Sequence, residues 1–514
     1  MGLITIDLYC YSTLFIISII LLIKQLTRSS QKSSTTSCKL PPGPWQLPII
    51  GSLHHLLTVN GGSLPHHKLA QLAKAHGPLM HLKLGQFSTI VVSSREVAKE
   101  IFKSHDVCVA DRPSIASADA VTYGAKEVIF GRYGDNWRQL KKICVLELLS
   151  QKRVQSFRSI RENEVFNLML TIQNHYSSSS PVNITEELYS LANNVITRAV
   201  IGDRCKNQKR FLEVVEEVVE LVTGFDLADL FPSLTWLTWL AGNTRKIRKN
   251  QRELDEFLDA ILRDHEEERH TETDKDLVDV LLRIKDEDAC GDLHSPLTRE
   301  GIKAVMFDIL AAGSDTSWNV MEWAMSELMK NPEVMKKVQS ELREVLQGKT
   351  KVTEEDLSGL KYLKLVIKET LRMHPPLTLL LPRECREAFE LMGYHIPVGT
   401  RVLVNAWALA RDPEYWDEPL VFKPERFEGS GINYNGHCFE FIPFGAGRRM
   451  CPGMAFGLAT IEFALAQLLY HFDWKLPNGL QPQDLDMSES FGVTARRTSS
   501  LLLQAIPRIP CSSI

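Results

Sequence analysis

Cys451 stands in the run Phe444-Gly445-Ala446-Gly447-Arg448-Arg449-Met450-Cys451-Pro452-Gly453, and an apolar segment follows over 454–470. A cysteine at the mouth of a helix faces the positive end of the backbone dipole, which lowers the thiol pKa and holds the anion ready for a metal. Pro452 suits the first helical position, where no amide proton is missed. Gly445, Gly447 and Gly453 are expected to take positive φ and bring backbone close to a flat ring. Arg449 suits a bidentate grip on a carboxylate, and Phe444 can keep water from the sulfur. This is the arrangement that a heme thiolate site needs. The bland alternative is a small buried hydrophobe ahead of an apolar helix.

Other residues carry chemistry by type. A helix expected over 298–329, capped by Thr298 with Glu300 in its first turn, turns abruptly from apolar to Gly313-Ser314-Asp315-Thr316-Ser317. Glycine costs about 1 kcal/mol inside a helix, and hydroxyl side chains bend one by bonding backward. On residues alone this is a tolerated kink. Glu369 and Arg372 stand three apart on a helix that must end before Pro375-Pro376, which by itself is an ordinary solvated pair. Arg138, Lys141, Lys142, Lys152 and Arg153 form a basic cluster. Solvated charge is its default reading, and docking of an acidic electron donor is its functional one.

Taken in order, these strings resemble the cytochrome P450 superfamily, and the likeness runs from the amino-terminal apolar segment to Leu503. Residues 444–453 match F-x-x-G-x-R-x-C-x-G without a mismatch. The resemblance implies that Cys451 is the metal ligand, its thiolate binding the iron of heme b (iron protoporphyrin IX). Phe444, Gly447, Arg449, Gly453, Trp137, Lys141 and Arg383 are then cofactor contacts. Trp137-Arg138-Gln139-Leu140-Lys141 resembles the element W-x-x-x-R, but a lysine replaces the final arginine, so the charge survives without the planar fork. The string A-G-x-D-T-S resembles the oxygen-activating segment, where a distorted turn makes room for O2. Thr316 and Asp315 would be the catalytic pair, a hydroxyl donor and a link to a proton-delivering water chain. Glu369 and Arg372, with Arg426 from Pro424-Glu425-Arg426-Phe427, are implied to form a buried structural charge network, which adds little on net but is costly to break.

Closer wording (P-P-G-P-W-x-L-P-I-I-G, L-P-R-E-C-R-E, P-F-G-A-G-R-R-M-C-P-G) looks like plant A-type microsomal monooxygenases, with terpene-oxidising members the nearest resemblance. Ala311, Ala312, Leu377, Leu379, Leu380 and Val493 fall where such relatives line the substrate pocket. An apolar lining favours a lipophilic substrate.

The elements that must position these residues are mostly helices. Helical patterns are expected over 96–104, 136–148, 211–221, 245–268, 298–329, 332–346, 360–373 and 454–470, and strands over 81–85, 89–92, 401–404 and 499–504. The expected fold class is mainly α with small β-sheets, which the resemblance makes the cytochrome P450 fold preceded by a single N-terminal transmembrane helix. Residues 1–25 are expected to be a membrane anchor. The run 3–23 is almost continuously apolar, and about 20 residues cross the hydrocarbon core. Basic residues follow it and none precedes it, so the catalytic domain faces the cytosol, unlike the pattern of a cleaved signal peptide. The sequon Asn183-Ile184-Thr185 would then stay unglycosylated. Residues 26–51 form a polar linker and proline-rich hinge, and 52–514 the heme-thiolate monooxygenase domain. Trp236 and Trp239, in an apolar loop over 224–242, are expected to dip into the membrane interface.

The chain has 514 residues and a net charge of −4, enough length for a large core and no electrostatic reason to bind nucleic acid. Its ten cysteines are scattered without a C-x-x-C pair, which fits a reducing compartment. No G-x-G-x-x-G strand-to-helix unit is present. NADPH would therefore act only through a partner, implied to be an NADPH–cytochrome P450 reductase in the endoplasmic reticulum membrane. The expected function is a cytochrome P450 monooxygenase that uses O2 to hydroxylate or oxidise a lipophilic plant specialised metabolite, a terpenoid first and an alkaloid or phenolic as the alternative. Two rival readings are a thiolate-heme isomerase or dehydratase and a non-catalytic heme protein. The intact Asp315-Thr316 pair speaks against both.

Overall fold

The computed structural model describes residues 39–56, 64–177, 180–202, 207–221, 227–233, 243–267, 276–287, 296–490 and 492–509. The expected anchor, the serine-rich part of the linker, and Trp236 and Trp239 lie outside the described residues. Six helices position the site: α1 (Pro65–His76), α2 (Asp135–Ile143), α3 (Ile184–Ile201), α4 (Arg299–Lys330), α5 (Tyr362–Met373) and α6 (Met454–His471).

The longest is α4. Thr298 caps it by accepting from the Gly301 amide at 3.1 Å, Glu300 and Lys330 suit its two dipole ends, and nearly every face is buried. A helix apolar all round belongs in a core. The same holds for α6, which is long and apolar enough to cross a membrane yet mostly buried in the body. Asn183 of the sequon caps α3 through its side chain, and Gly202 ends that helix at φ 64°. Gly313 allows α3 and α4 to touch, because a Cβ there would lie 2.7 Å from Ile196 Cδ1.

The largest sheet has the order β1 (Leu79–Leu84), β2 (Phe87–Val92), β4 (Arg401–Val404), β3 (Arg383–Glu384). Its β2–β4 pairing is parallel, with Val91 opposite Leu403, and the others are antiparallel. A three-stranded sheet joins Val182–Asn183, Leu502–Pro507 and Phe472–Lys475. Two-stranded ribbons occur at Glu489–Ser490 with Arg496–Arg497 and at Phe389–Leu391 with Tyr394–Ile396. The protein is mainly helical with small sheets.

Several boundaries differ from the sequence reading. The helix expected over 136–148 gives way at Cys144–Leu148 to a wider π-turn. The late strand is Leu502–Pro507 rather than 499–504. The helix Arg158–Ser177 and α3 carried no expectation. Apolar residues of Arg158–Ser177 are spread around its circumference, so it has no stripe for a pattern search to find.

Behind α5 the charges are fully enclosed. Arg372 donates from Nε and Nη2 to the two oxygens of Glu369 at 2.7 and 2.8 Å. Arg426 Nε donates to Glu369 Oε1 at 3.0 Å, and the Lys423 amide to the same oxygen at 2.8 Å. The remaining Arg372 donors meet the carbonyls of Ala410 and Pro419, and its guanidinium lies 5.2 Å from the Trp416 ring. Every guanidinium proton of Arg372 and both oxygens of Glu369 have partners, as a buried ion pair requires. Replacing Arg372 by leucine would leave Glu369 under-compensated. We expect a loss of about 3–5 kcal/mol of stability in urea unfolding followed by tryptophan fluorescence; a shift below about 1 kcal/mol, the scale of an exposed pair, would show that the network does not hold the fold.

Candidate active site

The loop carrying Cys451 makes two tight turns before it enters α6. The Gly445 amide donates to the Ile442 carbonyl at 2.9 Å, Met450 to Gly447 at 3.1 Å, and Cys451 to Phe444 at 3.0 Å. Gly445 (φ 73°) and Gly447 (φ 66°) take the left-handed conformation. Gly453 does not: it is the N-cap of α6 at φ −88°. Pro452 therefore precedes the cap instead of opening the helix, because the chain enters α6 through an ordinary turn two residues later than Cys451. Phe444 packs edge-on against Tyr434 at 5.6 Å. A Cβ on Gly447 would collide with the Asp106 carboxylate. Cys451 keeps accessible surface but sits deep in the fold. Burial pushes its thiol up, while the Gly453 amide, the Lys141 ammonium and the Met454 amide act in the opposite sense.

Cations crowd this loop. Buried Arg449 donates to the carbonyls of Ala110 at 2.8 Å, Val128 at 3.2 Å and Gly131, and its guanidinium lies 4.2 Å from the Trp137 ring. Trp137 Nε1 donates to the Val128 carbonyl at 3.0 Å. Arg383 donates to Asp106 Oδ1 at 2.9 Å and to the Ala446 carbonyl at 2.7 Å. Lys141 Nζ donates to the Met450 carbonyl at 2.6 Å, and burial pushes its ammonium down to about 8.

Arg112, which the sequence reading passed over, joins them with bonds of 2.8 Å to the carbonyls of Ile129, Leu381 and Pro382. Burial lowers Arg112, Arg383 and Arg449, the last to about 10, and repulsion from neighbouring arginines lowers Arg112 and Arg449 further. A cluster of buried cations beside a cysteine suits a thiolate-bound ring that carries two carboxylates. The residues present thus fit heme b.

Ala311, Ala312, Leu377, Leu379, Leu380 and Val493 line one cavity, and Thr316 and Asp315 border it too. The helix α4 runs unbroken through 313–317, so the distorted turn expected there is not present. Thr316 Oγ1 donates to the Ala312 carbonyl at 2.8 Å and Ser317 Oγ to Gly313 at 2.9 Å; both hydroxyls bond backward without opening the helix.

Asp315 is held from both sides. Its Oδ2 accepts from Thr494 Oγ1 at 2.7 Å and its Oδ1 from Arg496 Nη2 at 2.5 Å. Asp315 also borders a smaller cavity, shared with Arg496, Glu216, Tyr189 and Asn193. Behind the larger cavity, Glu127 accepts from the Phe130 amide at 2.7 Å and Asp308 from the Val128 amide at 2.9 Å. Burial raises both carboxyls, and the nearby Glu127 raises Asp308 further.

The residues of the basic cluster differ in their surroundings. Lys141 turns inward, Arg138 pairs with Asp135, and Lys142 and Lys152 are exposed.

The cytochrome P450 family model matches residues 41–502. The chain is 50% identical over 498 residues to desmethyl-deoxy-podophyllotoxin synthase of Sinopodophyllum hexandrum, covering 96% of this chain and 95% of that one. It is 48% identical over 491 residues to premnaspirodiene oxygenase of Hyoscyamus muticus, covering 94% and 96%. A zebrafish cytochrome P450 solved with progesterone superposes with a TM-score of 0.74 at 24% identity, over 87% of this chain and 100% of that one, a likeness of fold alone.

The close approach at position 447 is open to test. Gly447→Ala must take a strained φ and displace Asp106, so we expect about 1–3 kcal/mol of destabilisation with less heme retained per chain. Unchanged heme content and an unchanged melting temperature would show that the loop tolerates a side chain there.

Proposed function

Because the chain belongs to the cytochrome P450 family of heme-dependent monooxygenases, we propose that it hydroxylates or oxidises a lipophilic plant terpenoid. Members of the family use heme b, O2 and electrons supplied by a reductase. The observation that carries the reading is the pairing of one cysteine, ringed by buried cations, with an apolar cavity bordered by Thr316 and Asp315.

In this reading Cys451 is the residue that would hold the heme iron through its sulfur. Arg449, Arg383 and Lys141, with Arg112, neutralise the carboxylates of the ring; Trp137 and Phe444 exclude water; Gly447 and Gly453 shape the loop. Heme, when bound, supplies reductive O2 activation and the insertion of one oxygen atom into the substrate. Thr316 Oγ1 releases the Ala312 carbonyl by rotating about χ1 and presents its proton to the larger cavity. Asp315 borders both cavities, so its carboxylate can pass a proton from the smaller one to the larger. Glu369, Arg372 and Arg426 keep the core behind the loop rigid and take no part in the chemistry.

The same reading assigns 1–25 to an anchor in the endoplasmic reticulum membrane, crossing it once with the catalytic domain in the cytosol. Residues 26–51 are the linker and hinge, and 52–514 the catalytic domain. NADPH–cytochrome P450 reductase is the electron donor. The terpenoid assignment rests on the apolar lining and on the likeness to premnaspirodiene oxygenase; phenolics and alkaloids are the competing substrates.

Three measurements decide the matter. Cys451→Ala should lose the red-shifted ferrous–carbonyl band, and persistence of that band would remove the ligand. Thr316→Ala should keep oxidising NADPH but form roughly tenfold less product or lower; full coupling would exclude the hydroxyl from proton transfer. Yeast microsomes containing this chain and a reductase should convert at least one member of a sesquiterpene and diterpene panel. Turnover confined to alkaloids or phenolics would overturn the terpenoid assignment.

A further inference from the structure

The first turn of α1 holds two consecutive histidines that the reaction above does not use. His66 Nε2 lies 2.9 Å from Glu489 Oε2, and His67 Nε2 lies 3.6 Å from the same oxygen. All three atoms fall within 4.8 Å of one another. Tetrahedral zinc, with bonds of about 2.0–2.2 Å, sets its ligand atoms roughly 3.3–3.5 Å apart. The two separations from Glu489 bracket that spacing, and the histidine nitrogens lie within 4.8 Å of each other.

The chemistry of the three groups agrees with the spacing. Burial, helped by His66, pushes His67 down to about 4. Burial opposes ionisation of Glu489, but bonds from His374 and His66 hold its carboxyl well below the usual range. Two imidazoles and a carboxylate make a common zinc set that leaves a fourth position open.

Outer contacts also suit the arrangement. His66 Nδ1 lies 3.2 Å from the Thr378 hydroxyl, which can accept its proton and leave Nε2 free to ligate. The second oxygen of Glu489 lies 3.7 Å from His374 Nδ1, and His374 stacks on Trp323 at 3.9 Å while bonding Glu327 at 2.7 Å. Arg411 acts against positive charge at His67, and Glu489 acts in its favour. His67 keeps 31% of its side chain exposed, which gives an ion a way in.

We propose that His66, His67 and Glu489 form a binding site for one divalent transition-metal ion of the zinc class, placed behind the wall of the substrate cavity. Three elements meet there: α1, the segment 377–380 and the ribbon that begins at Glu489. His66, Thr378 and Ser490 also line the cavity, so an occupied site braces three of its walls. Nothing in this inference depends on which substrate the cavity takes.

The test uses the full-length, heme-loaded protein in detergent, stripped with a chelator and titrated with zinc chloride by calorimetry. Metal content is read by mass spectrometry. One zinc per chain is expected, with a higher melting temperature. His67→Ala should bind zinc at least tenfold more weakly while keeping the wild-type ferrous–carbonyl spectrum, which shows that it folds. Thr378→Val should weaken binding about 10–100-fold, the usual cost of losing an outer partner. Glu489→Gln is a second ligand variant should His67→Ala fail to fold. No uptake by the wild type, or equal uptake by wild type and ligand variants, would overturn the site.

Discussion

A single buried carboxylate, Asp106, fastens the loop that bears Cys451 at two points and holds a buried arginine of the neighbouring sheet at a third. Its Oδ2 accepts from the amide and the guanidinium of Arg448 at 2.9 and 3.0 Å, and its Oδ1 accepts from Arg383 at 2.9 Å. Bonds of this charge-assisted kind are worth about 1.5–3 kcal/mol each. They also set geometry, because Gly447 must pass so near the carboxylate that only hydrogen fits. Asp106 follows the helix Arg95–Ser104, and Arg383 lies on β3. One residue therefore ties the loop to the sheet and to the helix packed on it, and the position of the sulfur follows from that.

The same carboxylate is too little to balance the charge around it. Arg112, Arg383 and Arg449 are all buried, and desolvation acts against each. Each has found backbone carbonyls to bond, which satisfies its protons but not its charge. The positive field that remains at the loop favours anions, among them a cysteine thiolate and carboxylates on a ligand. Lys141 fits this picture in a particular way. A lysine is a point charge rather than a fork, and by bonding the Met450 carbonyl it places that charge beside the sulfur.

What the sequence made legible is what lies close together along the chain. The loop 444–453, the run 313–317 and the pair Glu369 and Arg372 are local, so spacing alone could single them out. Arg112, Asp106, Arg496 and the acid pair Glu127–Asp308 matter through partners hundreds of residues away, and nothing in their neighbourhoods marks them. The helical class was legible wherever apolar residues form a stripe; Arg158–Ser177 lacks one. The misreading at Pro452 and Gly453 has a different cause. A helix may begin one or two residues to either side of a proline, and only the cap geometry decides. Asn183 shows the converse case, a modification signal by sequence whose side chain the fold uses as a helix cap.

The two faces of α4 explain why its glycine sits where it does. Successive helical residues point about 100° apart, so Asp315 and Thr316 cannot share a direction. Gly313 lets α3 approach until Ile196 fills the space a Cβ would occupy, and Ser314 then reaches Asn193 with a bond of 2.6 Å. Those two contacts fix the rotation of α4 about its axis. With the rotation fixed, Asp315 meets Thr494 and Arg496 while Thr316 borders the apolar cavity. A larger residue at 313 would turn or push α4 away from α3 and carry Ala312 and Thr316 with it. The glycine therefore acts through register: it fixes how Asp315 meets Thr494 and Arg496 while Thr316 bonds back to the Ala312 carbonyl, with no break in the helix.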